Sequence, residues 1–405
     1  MAVGTHFVLV STFPPGRQSL NEYGYHIARG LADRPDVAKV TVLADLLDDP
    51  TTAELDLGPK IEVRRVWKFN TLGPLFKIVS SLVRLRPDGV IYNLQTATFG
   101  DREVPAALGL FAPMIGQKLG IPSGVIAHNI IAGIDLEHTQ LKGKRLRQVI
   151  VKAGGAIVTR AMLGAKYMTV TLQGYLDYMS SKYPKAPVHL VPHGTFETNH
   201  DNCQPIPNRP MRIATMGKFG TYKRLETLLS AFDILRQSPE FAEAELWIGG
   251  TDHPATPGYL GDLAEKRRND NNVHFAGYLA EEDIPEFFCK SRICVFDYTS
   301  TTGSSGVLHQ AASFGAVPVF PRIGDFVNIC EDEGIIGMHF EPSDATDMAN
   351  AMHEVLSNTD RAQQMSEQNL FASAGMPFSE VIDFHVRELG RKPNQNSGRR
   401  IETVL

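Results

Sequence analysis

The sequence predicts an α/β chain built from two doubly wound, Rossmann-like domains, and three observations predict it. Apolar runs of strand length alternate with segments of helical spacing, which is the signature of parallel sheet covered on both faces. The alternation breaks once, at "ETNHDNCQPIPNRP", where prolines and polar residues read as a linker. It then resumes for the rest of a chain of 405 residues, which at roughly 100–200 residues per domain is enough for two cores.

In order, the first half offers "HFVLVST", "KVTVLADL", "GVIYNLQ", "SGVIAHN", "YMTVTLQ" and "VHLVPHG" as strands, with "LNEYGYHIARGLADR" among the intervening helices. The second half offers "RIATMGK", "AELWIGG", "NVHFAGY", "RICVFDY", "AVPVFPR" and "MHFEPSD". This gives an N-terminal domain over 1–196, a linker over 197–210 and a C-terminal domain over 211–370. A helical segment over 371–390 is expected to pack back on the first domain, and 391–405 reads as a mobile tail. Ligands of such sheets bind beyond the carboxyl ends of the strands, so the expected site is a cleft where the two domains face one another.

Composition removes several function classes. A formal charge of −5 gives no general affinity for nucleic acid, which is not an expected partner. Cys203, Cys289, Cys294 and Cys330 lie far apart without a CxxC pair, so reduced structural thiols are expected, with no metal site. The start "MAVGTHFVLV" reads as a first strand without a basic leader, and the expected location is cytoplasmic. Neither "FPPGRQSLNEYG" nor the turn after "RIATMG" has the GxGxxG spacing of a dinucleotide site.

The residues at strand ends carry the chemistry. In "MGKFGTYKRLETLL", Lys218 follows a strand and Lys223 opens the next helical segment, with Gly217 and Gly220 between strand and turn. Two ammonium groups at a glycine turn suit a diphosphate, and a solvated basic helix start is the alternative. In "TGSSGV", Gly303 and Gly306 permit close approach, Ser304 or Ser305 can cap the helix, and the free amides form an anion site or an ordinary capped turn. His128 and Asn129 end an apolar strand, and His193 lies near the crossing between domains, where a structural role is at least as fitting.

Taken together, "STFPP", "IAHN", "VPHG", "GKFGTYKRL", "VHFAGYL" and "QAASFGAVPV" resemble the GT-B nucleotide-sugar glycosyltransferases, and among them the retaining family 4. The resemblance covers nearly the whole chain and implies a GT-B architecture and a hexosyltransferase of carbohydrate biosynthesis. It sets Lys218 and Lys223 where the family places an Arg and a Lys on the donor diphosphate. It sets His128 beneath the donor sugar, and the backbone near "GYLAE", including Tyr278 and Leu279, against the base. The family's two glutamates correspond to Thr302 and Gln310, so Gln310 is expected on the ribose while backbone amides of "TGSSG" take over sugar and phosphate contacts. Where relatives carry a glycine pair after "FPP", this chain has "GRQSLNEYG"; Arg17, Asn21, Glu22 and Tyr23 are expected either to read the acceptor with Asn129 or to cap the following helix.

The expected reaction is therefore metal-independent, retaining transfer of a sugar from a UDP- or GDP-linked donor to a hydroxyl acceptor, without a cofactor. A sugar-nucleotide-binding protein or a GT-B sugar-nucleotide epimerase are the alternatives. Leu141 to Leu176 contains Lys142, Lys144, Arg145, Arg147, Lys152, Arg160 and Lys166 and no acid, a run suited to a phosphorylated acceptor or to peripheral contact with an anionic membrane. "PLFKIVSSLVRLR" has helical spacing and is expected to pack on the first sheet with Lys77, Arg84 and Arg86 solvated.

Overall fold

The computed structural model describes residues 4–16, 18–130, 145–196, 203–300 and 303–390. The expected positions Arg17, Lys142, Lys144 and Thr302, and the tail over 391–405, lie outside the described residues. Two compact units emerge: the chain up to Pro192 together with the segment from Phe378 onward, and His193 to Pro377. These crossings fall a few residues from those read in the sequence, because "VPHG" and "MPF" carry the chain across while the prolines of the expected linker sit inside the second unit.

The first unit is a seven-stranded parallel sheet of β1 (Thr5–Val10), β2 (Val37–Asp45), β3 (Ile61–Trp67), β4 (Gly89–Leu94), β5 (Ser123–Ala127), β6 (Tyr167–Val170) and β7 (Val188–Leu190). Its order is β3-β2-β1-β4-β5-β6-β7. Strand β3 is absent from the sequence reading because "IEVRRVW" mixes charge into an edge strand: Lys39 and Arg64 pair with Glu62, and Arg65 with Glu54. The helices are α1 (Asn21–Asp33), α2 (Pro74–Leu85), α3 (Glu103–Gly109), α4 (Ala112–Lys118), α5 (Arg145–Met162) and α6 (Gln173–Lys182).

The second unit holds β8 (Arg212–Phe219), β9 (Glu245–Asp252), β10 (Val273–Gly277), β11 (Ile293–Val295), β12 (Val317–Pro321) and β13 (Met338–Phe340) in the order β10-β9-β8-β11-β12-β13. All six were legible as apolar runs. Helices α7 (Glu226–Leu235), α8 (Tyr259–Lys266), α9 (Ile284–Cys289), α10 (Gly306–Ser313), α11 (Gly324–Glu333), α12 (Ala345–Ser357) and α13 (Thr359–Ala374) connect and cover them. The last helix, α14 (Phe378–Gly390), returns to the first unit and packs against α1, β4 and β5. There Ile382 lies so near Gly30 that a Cβ would stand 2.8 Å from its Cγ1, and Lys166 donates to the carbonyl of Leu389.

Cys203 and Cys289 form a disulfide across 86 residues of sequence, which corrects the expectation of four reduced thiols; spacing alone cannot show that a linker residue meets the end of α9. Cys294 and Cys330 are free and buried, as expected. Nearby, Arg209 is 3% exposed and has no carboxylate partner among the described residues. Its guanidinium instead donates to the carbonyls of Gln204, Phe288, Ser291 and Phe314, two of them at the C-terminal ends of α9 and α10, where the helix dipole favours a cation. Burial holds its pKa down to about 10. Because four carbonyls would lose their donor at once, Arg209→Ala should destabilise the second unit by about 3–5 kcal/mol, read as a lowered denaturant midpoint. An unchanged midpoint would show that water replaces the guanidinium without cost.

Candidate functional site

In both units the strand order reverses beside the first strand, between β1 and β4 and again between β8 and β11. At such a switch point the loops leaving the two strands diverge and open a crevice at their carboxyl ends.

In the second unit this brings together the two stretches singled out in the sequence. Lys218 is the penultimate residue of β8, and the 220–223 turn folds back so that Lys223 bridges Tyr298 just beyond β11. The Lys223 side chain lies over Gly217, where a Cβ would stand 3.2 Å from its Cδ, and its ammonium sits 4.7 Å from the centre of the Tyr298 ring. Gly217 is in turn crossed by Gly250, at φ +135°, where any Cβ would meet the Gly217 carbonyl at 1.9 Å; these glycines let β8 and β9 pass at close range. The half-buried ammonium of Lys218 is near enough to His253 to depress its pKa, after burial, which is the larger cause. Arg224 is exposed.

The described part of "TGSSG", residues 303–306, leads into α10. Gly303 has φ +81°, which restricts the position to glycine, whereas Gly306 has ordinary room, with His193 3.7 Å from its missing Cβ. Ser305 is the helix N-cap, its hydroxyl accepting from Leu308 N–H at 3.4 Å, and Ser304 Oγ is buried with no hydrogen-bond partner among the described residues. The Gly303 amide donates to Asp325 at 3.3 Å. Sequence reasoning missed Asp325, because it arrives from the first turn of α11 and not from the turn itself. Gln310 is 5% exposed on α10. Tyr278 is 72% exposed, and Leu279 lines a cavity of about 170 Å³ together with Trp247, Phe287 and Arg212.

Beneath this turn lies an ion pair that the sequence did not announce. His309 Nδ1 donates to the Ser305 carbonyl at 2.7 Å and Nε2 meets Glu333 at 2.6 Å, with both side chains buried. Burial opposes charge on the imidazole, but the Glu333 carboxylate and the carbonyl outweigh it and raise the His309 pKa. His193 stacks on His309 at 4.6 Å and 18°, a structural position.

In the first unit the crevice is organised by Asn93, a second residue that sequence reasoning missed. Its amide nitrogen donates to Ser11 Oγ at 2.9 Å and to the Leu20 carbonyl at 3.3 Å, so its oxygen must face His128 Nε2, 2.7 Å away. The carbonyl of Leu20 can only accept, and this fixes the amide orientation. His128 therefore carries its proton on Nε2. Tyr23, buried, packs edge-on against His128 and Phe378. Asn21 donates to the Gly16 carbonyl, Asn129 accepts from the Thr96 amide, and Glu22 stands in the first turn of α1. These bonds tie the loops after β1, β4 and β5 to the helix start.

Burial pushes the His128 pKa down to about 3, and that of His385 likewise to about 3. In the unfolded chain each titrates near 6.5. The folded values are depressed, so the stability they permit is whole above pH 6.5 and is lost as the pH falls from there toward 3. Ring-nitrogen NMR should show His128 as the neutral Nε2–H tautomer from neutral pH down to about 4. A ring that titrates near its ordinary value would contradict the Asn93 arrangement.

Comparison with known proteins agrees with this architecture. Residues 210–358 match the family described as Glycosyl transferases group 1. A search of the curated proteins found no match. Among solved structures the chain is similar to the sucrose-phosphate synthase of Thermosynechococcus elongatus, at 15% identity and a TM-score of 0.70 over 95% of this chain and 98% of that one. It is similar to WaaG, a glycosyltransferase involved in lipopolysaccharide biosynthesis, at 15% identity and a TM-score of 0.66 over 95% and 99% of the two chains. HepE of Anabaena, in complex with UDP and glucose, aligns at 15% identity and a TM-score of 0.63 over 95% and 98%. Residues 210–358 thus form a glycosyltransferase group 1 domain, and the two α/β units, matching these structures along 95% of the chain, have the GT-B fold.

Proposed function

We propose that the protein transfers a sugar from a nucleoside-diphosphate donor, UDP- or GDP-linked, to a hydroxyl acceptor, with retention at the anomeric carbon and without a metal ion. The single observation that carries the reading is the juxtaposition of Lys218 and Lys223 with the turn at 303–306 across the β8/β11 reversal. Two ammonium groups and the amides of Ser304 to Gly306 are the complement of a diphosphate, and they supply at the leaving group the positive charge for which other enzymes use a cation. HepE, of the same fold, is seen with UDP-glucose.

The donor would lie with its phosphates on the two lysines and the α10 N-terminus. Thr302 stands where the family carries a carboxylate near the sugar, and Asp325, which accepts from the Gly303 amide, is an acid at that turn that would take the same part. The acceptor side is assigned to the crevice around His128, whose neutral ring can hydrogen-bond a hydroxyl without repelling developing positive charge. Of the residues expected to read the acceptor, Asn21, Tyr23 and Asn129 act chiefly by shaping that crevice, Glu22 stands in the first turn of α1, and Arg17 lies outside the described residues.

Diphosphate release from a panel of nucleotide sugars, with and without candidate acceptors, tests the reading. Release that requires an acceptor and survives a chelator supports it; an inverted product, or donor conversion without acceptor, contradicts it. Lys218→Ala and Lys223→Ala should each slow turnover by about 10- to 100-fold, about 1.4 kcal/mol per decade, with the melting temperature unchanged. Gly303→Val should weaken donor affinity more than Ser305→Ala, because the first forces a left-handed backbone position on a β-branched residue while the second removes one long capping bond. Donor kinetics in which both lysine variants match the wild type would remove the phosphate clamp.

A further inference from the structure

Helix α2 has more apolar surface than the fold uses. Leu75, Ile78 and Leu82 form one buried stripe against the first unit, as the helical spacing predicted. Phe76 and Val83, seven residues apart and so on one line of the helix, are 67% and 49% exposed, and Leu72 in the preceding turn is 56% exposed. A helix covering a sheet needs a single apolar face; the second has no partner among the described residues of its unit.

The surface continues onto neighbouring helices. α2 contacts α4, and α4 contacts α5. Leu119, at the end of α4, is 52% exposed and Ile157, on α5, is 56% exposed. Across α2, α4 and α5 the sequence carries Lys77, Arg84, Lys118, Arg145, Arg147, Lys152 and Arg160 without one aspartate or glutamate, in a chain with 45 acids to 40 bases. Lys77, Arg84, Lys118 and Arg160 are exposed. The acids beside this layer, Asp101 and Glu103, stand at the start of α3 around Arg102.

We infer that this layer is a docking surface for an anionic lipid bilayer. Cations alone would fit any polyanion, but a nucleic acid or an acidic protein loop would leave Phe76, Val83, Leu119 and Ile157 without a use. A bilayer takes both: phosphate headgroups pair with the basic side chains, while the apolar ones enter the boundary between headgroups and acyl chains. The contact is peripheral, since among the described residues no helix is long and apolar enough to cross a membrane. The inference rests on the surface of the first unit and is independent of the donor site.

Sedimentation of the full chain with vesicles tests it, using phosphatidylcholine alone and phosphatidylcholine mixed with phosphatidylglycerol. Binding should require the anionic lipid and weaken with salt. The pair Lys77→Glu with Arg84→Glu, and separately the pair Phe76→Ser with Val83→Ser, should each lower the partition coefficient by about tenfold or more, without loss of helical circular dichroism. All four side chains are exposed, so folding is not at stake. Failure to bind, equal binding to both vesicle types, or either pair leaving binding unchanged overturns the proposal. Sensitivity to charge reversal alone would mark the surface as a site for a soluble polyanion.

Discussion

Both candidate sites depend on the reversal of strand order beside β1 and beside β8. In a right-handed α/β sheet the chain winds outward on one side of its first strand and then returns to wind on the other, so the loops leaving two adjacent central strands part company. Lys218 and the 303–306 turn come from strands whose starts are 81 residues apart, Arg212 and Ile293, yet hydrogen-bonded neighbours in the sheet. Without that reversal the lysines and the helix N-terminus would face different loops, and neither would hold a phosphate well alone, since a helix end contributes only about 0.3–1 kcal/mol.

Around each reversal the protein spends buried polar groups on holding loops still. In the first unit Asn93 joins the ends of β1 and β4 to His128 and to Leu20, which occupies the left-handed region at φ 68°. In the second, His309 and Glu333 hold the Ser305 carbonyl from below, and Asp297 accepts from Thr227 and Leu228 N–H at the start of α7. The two histidines have opposite electrostatics. Burial holds His128 neutral, whereas the Glu333 carboxylate makes His309 favour its charged form in spite of burial.

The sequence made the architecture readable because parallel strands buried on both faces are continuous apolar runs, and twelve of the thirteen strands among the described residues stood out that way. The exception, β3, is an edge strand whose charges pair with neighbours instead of avoiding the sheet. The lysines, the glycine turn and His128 were legible because each sits directly after such a run. Asn93 was hidden inside "GVIYNLQ", where a polar residue within an apolar strand has no spacing to mark it. Asp325, Glu333 and the Cys203–Cys289 bond were hidden for a different reason: each reaches its partner through the fold, across 22, 24 and 86 residues respectively. The outer stripe of α2 was visible as apolar spacing but not as exposure, since periodicity cannot say which of two apolar faces meets the sheet.

The most direct measurement of the central claim is amide hydrogen exchange of the full chain with and without a nucleoside diphosphate, UDP and GDP in turn. If the lysines and the glycine turn clamp the donor together, protection appears in peptides covering 217–223 and 303–308, where ammonium groups and amides close on the phosphates, while peptides from β9 and α12 are unchanged. Protection confined to other segments of the second unit, or none with either nucleotide at saturating concentration, would contradict it.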